Sequence, residues 1–172
     1  MSRPDRPPLA PEFLPIGVVI EHRIVEHRGW RVPKWEALGA IVGEAVSRAD
    51  RSGRILRSVD GREQVLWEGL ELRLHRDGTE SYRRNLVGKN PSLFFICHER
   101  EGGLAPLRVT ADYDEAAAHM EVDGTVLSAP MPAEVYRWLE QFVLEHHRPE
   151  TPSKRKRQDW VSDEEHPRGR RR

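Results

Sequence analysis

The chain has 172 residues, and its 28 basic and 28 acidic side chains cancel at neutral pH. That balance argues against a general polyanion-binding surface, while 37% hydrophobic against 33% charged residues gives a polar chain with a moderate core. A single cysteine, Cys97, excludes an intramolecular disulfide framework and any all-cysteine metal site, and no run approaches the roughly 18 apolar residues of a membrane span.

Residues 1–14 read as a flexible lead, because Met1–Pro11 holds four prolines and no apolar core. This stretch does not resemble an export signal, so a cytoplasmic location is expected. Ile16–Val25 reads as a first strand, with Val18 and Ile20 alternating against Val19 and Glu21. Trp30–Val42 contains a second, whose parity slips between Val32 and Trp35. Pro33 cannot donate to a ladder, so a bulge or an edge position is expected there. Residues 44–61, rich in Arg, Ser, Asp and Gly, are expected to be a loop with at most one helical turn at Gly43–Arg48.

Residues 63–99 carry the densest strand pattern. Leu70, Leu72 and Leu74 alternate with Glu71, Arg73 and His75, and Asp77-Gly78 comes next as a turn signal. Tyr82, Leu86 and Val87 come after it, then Gly88-Lys89-Asn90-Pro91, then the apolar run Leu93–Cys97. This predicts a three-stranded antiparallel meander with Arg62–Trp67 as a further strand in front. A three-residue loop, Arg76-Asp77-Gly78, sets Leu72 opposite Tyr82 and lets Gly78 take a left-handed conformation.

Gly102-Gly103 marks another hairpin loop, and Pro106–Thr110 a short strand. Asp112 with Glu115 three residues later predicts a reciprocally capped helix over Tyr113–Val122. Thr125–Ser128 is a short strand. Pro132 suits a first helical position, and Val135, Trp138, Leu139, Phe142, Val143 and His146 then fall on one helical face. Pro149 and Pro152 stop that helix. The expected fold is α+β: an antiparallel β-meander or partly open barrel covered by a C-terminal amphipathic helix. Residues 15–148 form a single domain, followed by a basic, disordered tail over 149–172.

No catalytic constellation is visible. The histidines fall in different elements, and the adjacent His146 and His147 point about 100° apart on a helix, so they cannot chelate together. No metal site, nucleophile elbow, phosphate loop or dinucleotide fingerprint is present, and no cofactor is expected. Cys97, in an apolar strand, reads as a buried inert thiol. Arg73, His75, Arg83 and Arg84 read as the solvated basic side of a sheet, with Trp67 and Tyr82 nearby as core or rim. The strongest candidate site is in the tail, where Lys154, Arg155, Lys156 and Arg157 precede Trp160. Four cations followed by an indole suit docking on an acidic protein surface; an inert, solvated end is the next reading and nucleic acid the least favoured.

The ordered set Ile16–Glu21, Trp30, Leu72–Tyr82, Asn85-Leu86, Asn90–Phe95, Val109–Ala111, Pro130–Pro132 and Lys154–Arg157 resembles a bacterial family, the one numbered 3305 among domains of unknown function. The resemblance spans residues 15–158. It implies a role beside molybdenum-dependent formate dehydrogenases, in making, loading or assembling such an enzyme, and supplies no catalytic residues. The expected function is a non-catalytic accessory protein with a formate dehydrogenase or its maturation factors as partner. A cofactor-binding or enzymatic domain of molybdenum-cofactor metabolism, and a nucleic-acid binder using the basic tail, are the alternatives.

Overall fold

The computed structural model describes residues 11–148. Its centre is strand β1 (Phe13–His27), where Ile16, Val18 and Ile20 are all but fully buried. β1 is hydrogen-bonded on both edges, to β2 (Trp30–Val42) and to β4 (Arg62–Arg73), and β3 (Ser52–Val59) adds to the far side of β4. The first sheet therefore runs β2-β1-β4-β3, antiparallel throughout. A second antiparallel sheet, β6-β5-β7, is made by β5 (Ser92–Arg100), β6 (Gly103–Thr110) and β7 (Thr125–Pro130).

The inner face of the first sheet presents Ile16, Val18, Ile20, Leu70 and Leu72 to Leu93, Phe95 and Cys97 of β5 in one core. Phe95 is completely buried, a burial that contributes about 1.5–3 kcal/mol by area. β5 is buried on both faces, because helix α2 (Tyr113–Glu121) lies behind it, where Phe94 meets Tyr113 edge-on at 5.8 Å. The fold is thus α+β, with seven strands in two sheets and three α-helices among the described residues, and neither sheet closes into a barrel.

The expected meander over residues 63–99 is not formed. Arg62–Trp67 and Leu70–Leu72 are one strand, β4, and the chain then enters a 3-10 turn (Arg76–Gly78) and helix α1 (Thr79–Val87). Tyr82 and Leu86, strand residues by sequence pattern, are the buried i, i+4 pair of that helix. Gly78 has a φ of −82°, so it is not there for a left-handed turn. It is there for space: a Cβ would lie 2.7 Å from the Tyr82 ring. That close approach sets the Tyr82 hydroxyl to accept from the His75 N–H at 3.1 Å.

Three further expectations change. The stretch 44–61 holds the predicted helical turn, Glu44–Val46, but also strand β3. Every residue of β3 is exposed, so burial imposes no alternation for a sequence reading to find. Pro33 does sit on an edge strand, opposite Ile24, but the irregularity in the β1–β2 ladder lies at Leu38, between the pairs Val19–Gly39 and Ile20–Ala37. Within β4, Glu68 and Gly69 together face Gly17, and Gly69 takes a φ of +81°, the glycine-bearing form of β-bulge. Finally, the basic face is dispersed. Arg73 on β4 meets Glu12 and Glu71, while Arg83 and Arg84 on α1 meet Glu80 and Asp114.

Helix α2 starts as expected, the Asp112 carboxylate accepting from the N–H groups of Asp114 (2.9 Å) and Glu115 (3.2 Å). The reciprocal half is absent: the Asp112 N–H donates to the Thr110 hydroxyl, and Glu115 turns to Arg108. Helix α3 (Ala133–His146) begins one residue later than predicted, with Pro132 as its cap in extended conformation. It buries Val135, Leu139 and Val143, while Trp138 and Phe142 are only half-buried. Its neighbour is α1, through Tyr82 against Phe142 at 6.3 Å. No helix among the described residues is long and apolar enough to cross a membrane.

Asn85 joins these parts. Its amide donates to the carbonyls of Ser92 and Ala111, both at 2.8 Å, and its Oδ1 accepts from the Ser92 N–H at 3.0 Å. Asn85→Ala strands those backbone groups, and at about 1 kcal/mol for each lost bond should cost about 2–4 kcal/mol in chemical denaturation. A loss below about 1 kcal/mol would show that the three bonds are dispensable.

Candidate functional site

The registers of the first sheet set out its outer face row by row. Lys34, Arg23, Arg62 and Val59 stand opposite one another across the four strands. The next row is Glu36, Glu21, Gln64 and Arg57, and the one after it Gly39, Val19, Leu66 and Arg54. Beyond the cationic row, β1 and β2 continue to their turn with Val25 opposite Val32 and His27 opposite Trp30. The result is a charged middle bordered by exposed apolar side chains.

Glu21 is the anchor of that middle. Its residue is 6% exposed although it faces outward, because long neighbours close over it. Gln64 donates to its carboxylate at 2.9 Å and Arg23 approaches at 3.9 Å, itself bonding Glu36 at 3.4 Å. Glu21, Arg57, Val59, Asp60, Arg62 and Gln64 line a hollow of about 490 Å³ on this face. The carboxylate holds Gln64 and Arg23, while Arg57 and Arg62 line the hollow beside it without an ion pair.

A second hollow, about 620 Å³, opens where Trp67 faces the β5–β6 turn at Arg100–Ala105. Here the two sheets are in close contact: a Cβ on Gly103 would lie 2.4 Å from the Trp35 ring. Trp35 in turn packs against His22, ring centroids 4.2 Å apart and tilted by 32°. The lining mixes backbone, one arginine, one glutamate and apolar side chains, without convergent polar groups to orient a small molecule.

Among the described residues, no group of three or more His, Cys, Asp or Glu side chains is placed to hold a metal ion. His146 lies against Phe142, with its Nδ1 3.0 Å from that residue's carbonyl, and His147 faces Glu80 at 3.5 Å. Cys97 is buried, and burial pushes its thiol from the ordinary 9.0 up to about 12, so it is neutral at physiological pH and a poor nucleophile. The tail residues Lys154, Arg155, Lys156, Arg157 and Trp160 lie outside the described residues. Sequence reasoning misses the outer-face cluster because 44–61 reads as a loop, although the arginine spacing at 51, 54 and 57 is visible.

Because the folded state holds the Cys97 proton more tightly, the stability it contributes is present below about pH 9 and is lost as pH rises towards 12. Unfolding free energy should therefore fall across that window more steeply in the wild type than in Cys97→Ala. A thiol reagent should react slowly until denaturant is added, and equal rates in both conditions would contradict the burial. At the outer face, Glu21→Ala should cost about 1–3 kcal/mol and Glu21→Gln less, since the amide keeps a partner for Gln64. Denaturation curves of the two variants that superimpose would show that the carboxylate does not organise the cluster.

No curated protein and no solved structure shows significant similarity to the chain. One family does: the profile of DUF3305, described as a protein of unknown function, matches residues 15–157. That span contains nearly the whole first sheet with its Glu21-centred face, the second sheet and all three helices, and the chain therefore belongs to the DUF3305 family.

Proposed function

We propose that the protein is a non-catalytic, cytoplasmic accessory factor that works by binding another protein, a molybdenum-dependent formate dehydrogenase or one of its maturation factors. The observation that supports binding is the exposure of large apolar side chains beside cations. Trp30 on edge strand β2 is 76% exposed and Ile55 on the opposite edge strand β3 60%, each with arginine in the same strand. Monomeric surfaces seldom spend an indole and several aliphatic side chains on solvent without a partner for them. The partner class rests on the family resemblance of the sequence. The buried, high-pKa thiol is in keeping with a role without covalent chemistry.

The basic segment at the C-terminus belongs to this reading. Lys154–Arg157 and Trp160 offer charge and one large apolar group to an acidic surface, with an attraction that salt screens. Deleting residues 149–172 should leave the unfolding midpoint nearly unchanged while lowering formate dehydrogenase activity in the host. Neutralising Lys154–Arg157 alone should reproduce most of that loss. Full activity in the truncated strain would remove the tail from the mechanism. Full activity in a strain lacking the whole gene would overturn the proposed role.

A further inference from the structure

We propose that the distal part of the first sheet's outer face, where the β1–β2 and β3–β4 hairpins lie side by side, is a docking surface for an acidic, apolar-anchored segment of a partner protein. The proposal rests on the function proposed above only in taking the partner to be a protein. It concerns residues other than those of the C-terminal segment.

Charge distinguishes this face. The segments 21–36 and 51–62 bring Lys34, Arg23, Arg62, Arg57 and Arg54 to it against Glu21 and Glu36, in a chain whose charges cancel overall. The registers place the two segments against each other, Arg23 opposite Arg62 and Arg62 opposite Val59. Two of these cations are paired within the fold, Arg23 and Lys34 both meeting Glu36. Arg73, Arg83, Arg84 and Arg108 each meet a carboxylate. Among the described residues Arg54, Arg57 and Arg62 meet none: Glu21 lies 3.9 Å from Arg23 and is bonded by Gln64, and Glu36 is met by Arg23 and Lys34. Three unpaired arginines in successive rows gain from an incoming carboxylate an ion pair that the fold does not give them.

Apolar exposure on the same face selects a protein. Trp30 and Val32 at one end and Val59 at the other flank the cationic row, 76%, 38% and 45% exposed. A phosphate backbone would use the arginines but leave these aliphatic groups in water, whereas an interface core uses both. A second copy of the chain fits poorly: two β3 edges paired antiparallel about their centre would set Arg54 against Arg57, like charges directly opposite. The edge itself is open, with β4 on one side of β3 and, among the described residues, no strand on the other, so an extended segment can add backbone hydrogen bonds there.

The test uses the full chain and random displayed peptides of about twelve residues, long enough extended to cross the four strands, at about 0.1 M salt. Recovered peptides should carry Asp and Glu around one or two large apolar residues. Synthetic versions should bind about tenfold or more weakly to Trp30→Ala and to the double variant Arg57→Glu, Arg62→Glu, and should release as salt rises. Arg83→Glu, at an exposed helix position, is the control and should bind as the wild type does. Unfolding midpoints of all variants confirm that they fold.

Failure to enrich any sequence, a neutral or basic consensus, or binding indifferent to the Trp30 and Arg57/Arg62 changes would overturn the proposal. So would a short DNA duplex whose binding needs Arg57 and Arg62 but not residues 149–172, which would assign the face to nucleic acid. Self-association abolished by Trp30→Ala would assign it to a second copy. Formate dehydrogenase activity in cells is a separate readout: acidic-peptide binding together with unaffected enzyme would overturn the proposed partner and leave the docking face standing.

Discussion

The amide of Asn85 is the constraint on which the arrangement of helices and sheets depends. Near the end of α1 it satisfies both backbone groups of Ser92, where β5 begins, and the carbonyl of Ala111, just past β6. Ser92 and Ala111 are far apart in sequence, and strand pairing leaves their groups at the margin of the second sheet. One side chain with two donors and an acceptor closes that margin and fixes the end of α1 to it. The helix is only nine residues long and could not persist alone. Held there, it presents Tyr82 and Leu86 to the core and gives α3 a surface to pack on.

The same contacts explain why sequence pattern alone turns this helix into a strand. Asp77-Gly78 after an alternating strand is a strong local hairpin signal, and Tyr82, Leu86 and Val87 fit a returning strand. The contacts that decide otherwise are tertiary. Gly78 yields its side-chain space to the Tyr82 ring, and the tyrosine hydroxyl closes the turn onto the His75 N–H. Asn85 finds its partners 7 and 26 residues away. No periodicity in the sequence reports such pairings. By contrast β1, β5 and α3 are legible because each buries one regular face or a continuous apolar run, and α2 because Asp112 caps it with its own side chain.

The outer face is half legible for the same reason. Its cations are plain in the sequence, but a loop at 44–61 gives them no common plane. Only with β3 paired to β4 do Arg54 and Arg57 fall in line with Leu66 and Gln64, over the carboxylate of Glu21. Charge that sums to zero along the chain is therefore not uniform in space. Acids pair with arginines around the helices, while the distal first sheet keeps Arg54, Arg57 and Arg62 without a carboxylate among the described residues.

The length of β1 has a mechanical consequence. Its first half is rooted between the two sheets, with Ile16, Val18 and Ile20 fully packed, whereas from Ile24 to the turn it is largely exposed. The strand thus behaves as a stiff root carrying a pliable blade, since local opening costs least where few apolar contacts would be broken. Amide exchange should be fast around Arg28-Gly29 and slow around Val18. A blade decoupled from its root can vary in sequence and adjust in shape with little effect on the folding equilibrium, so changes there are felt in recognition before they are felt in stability.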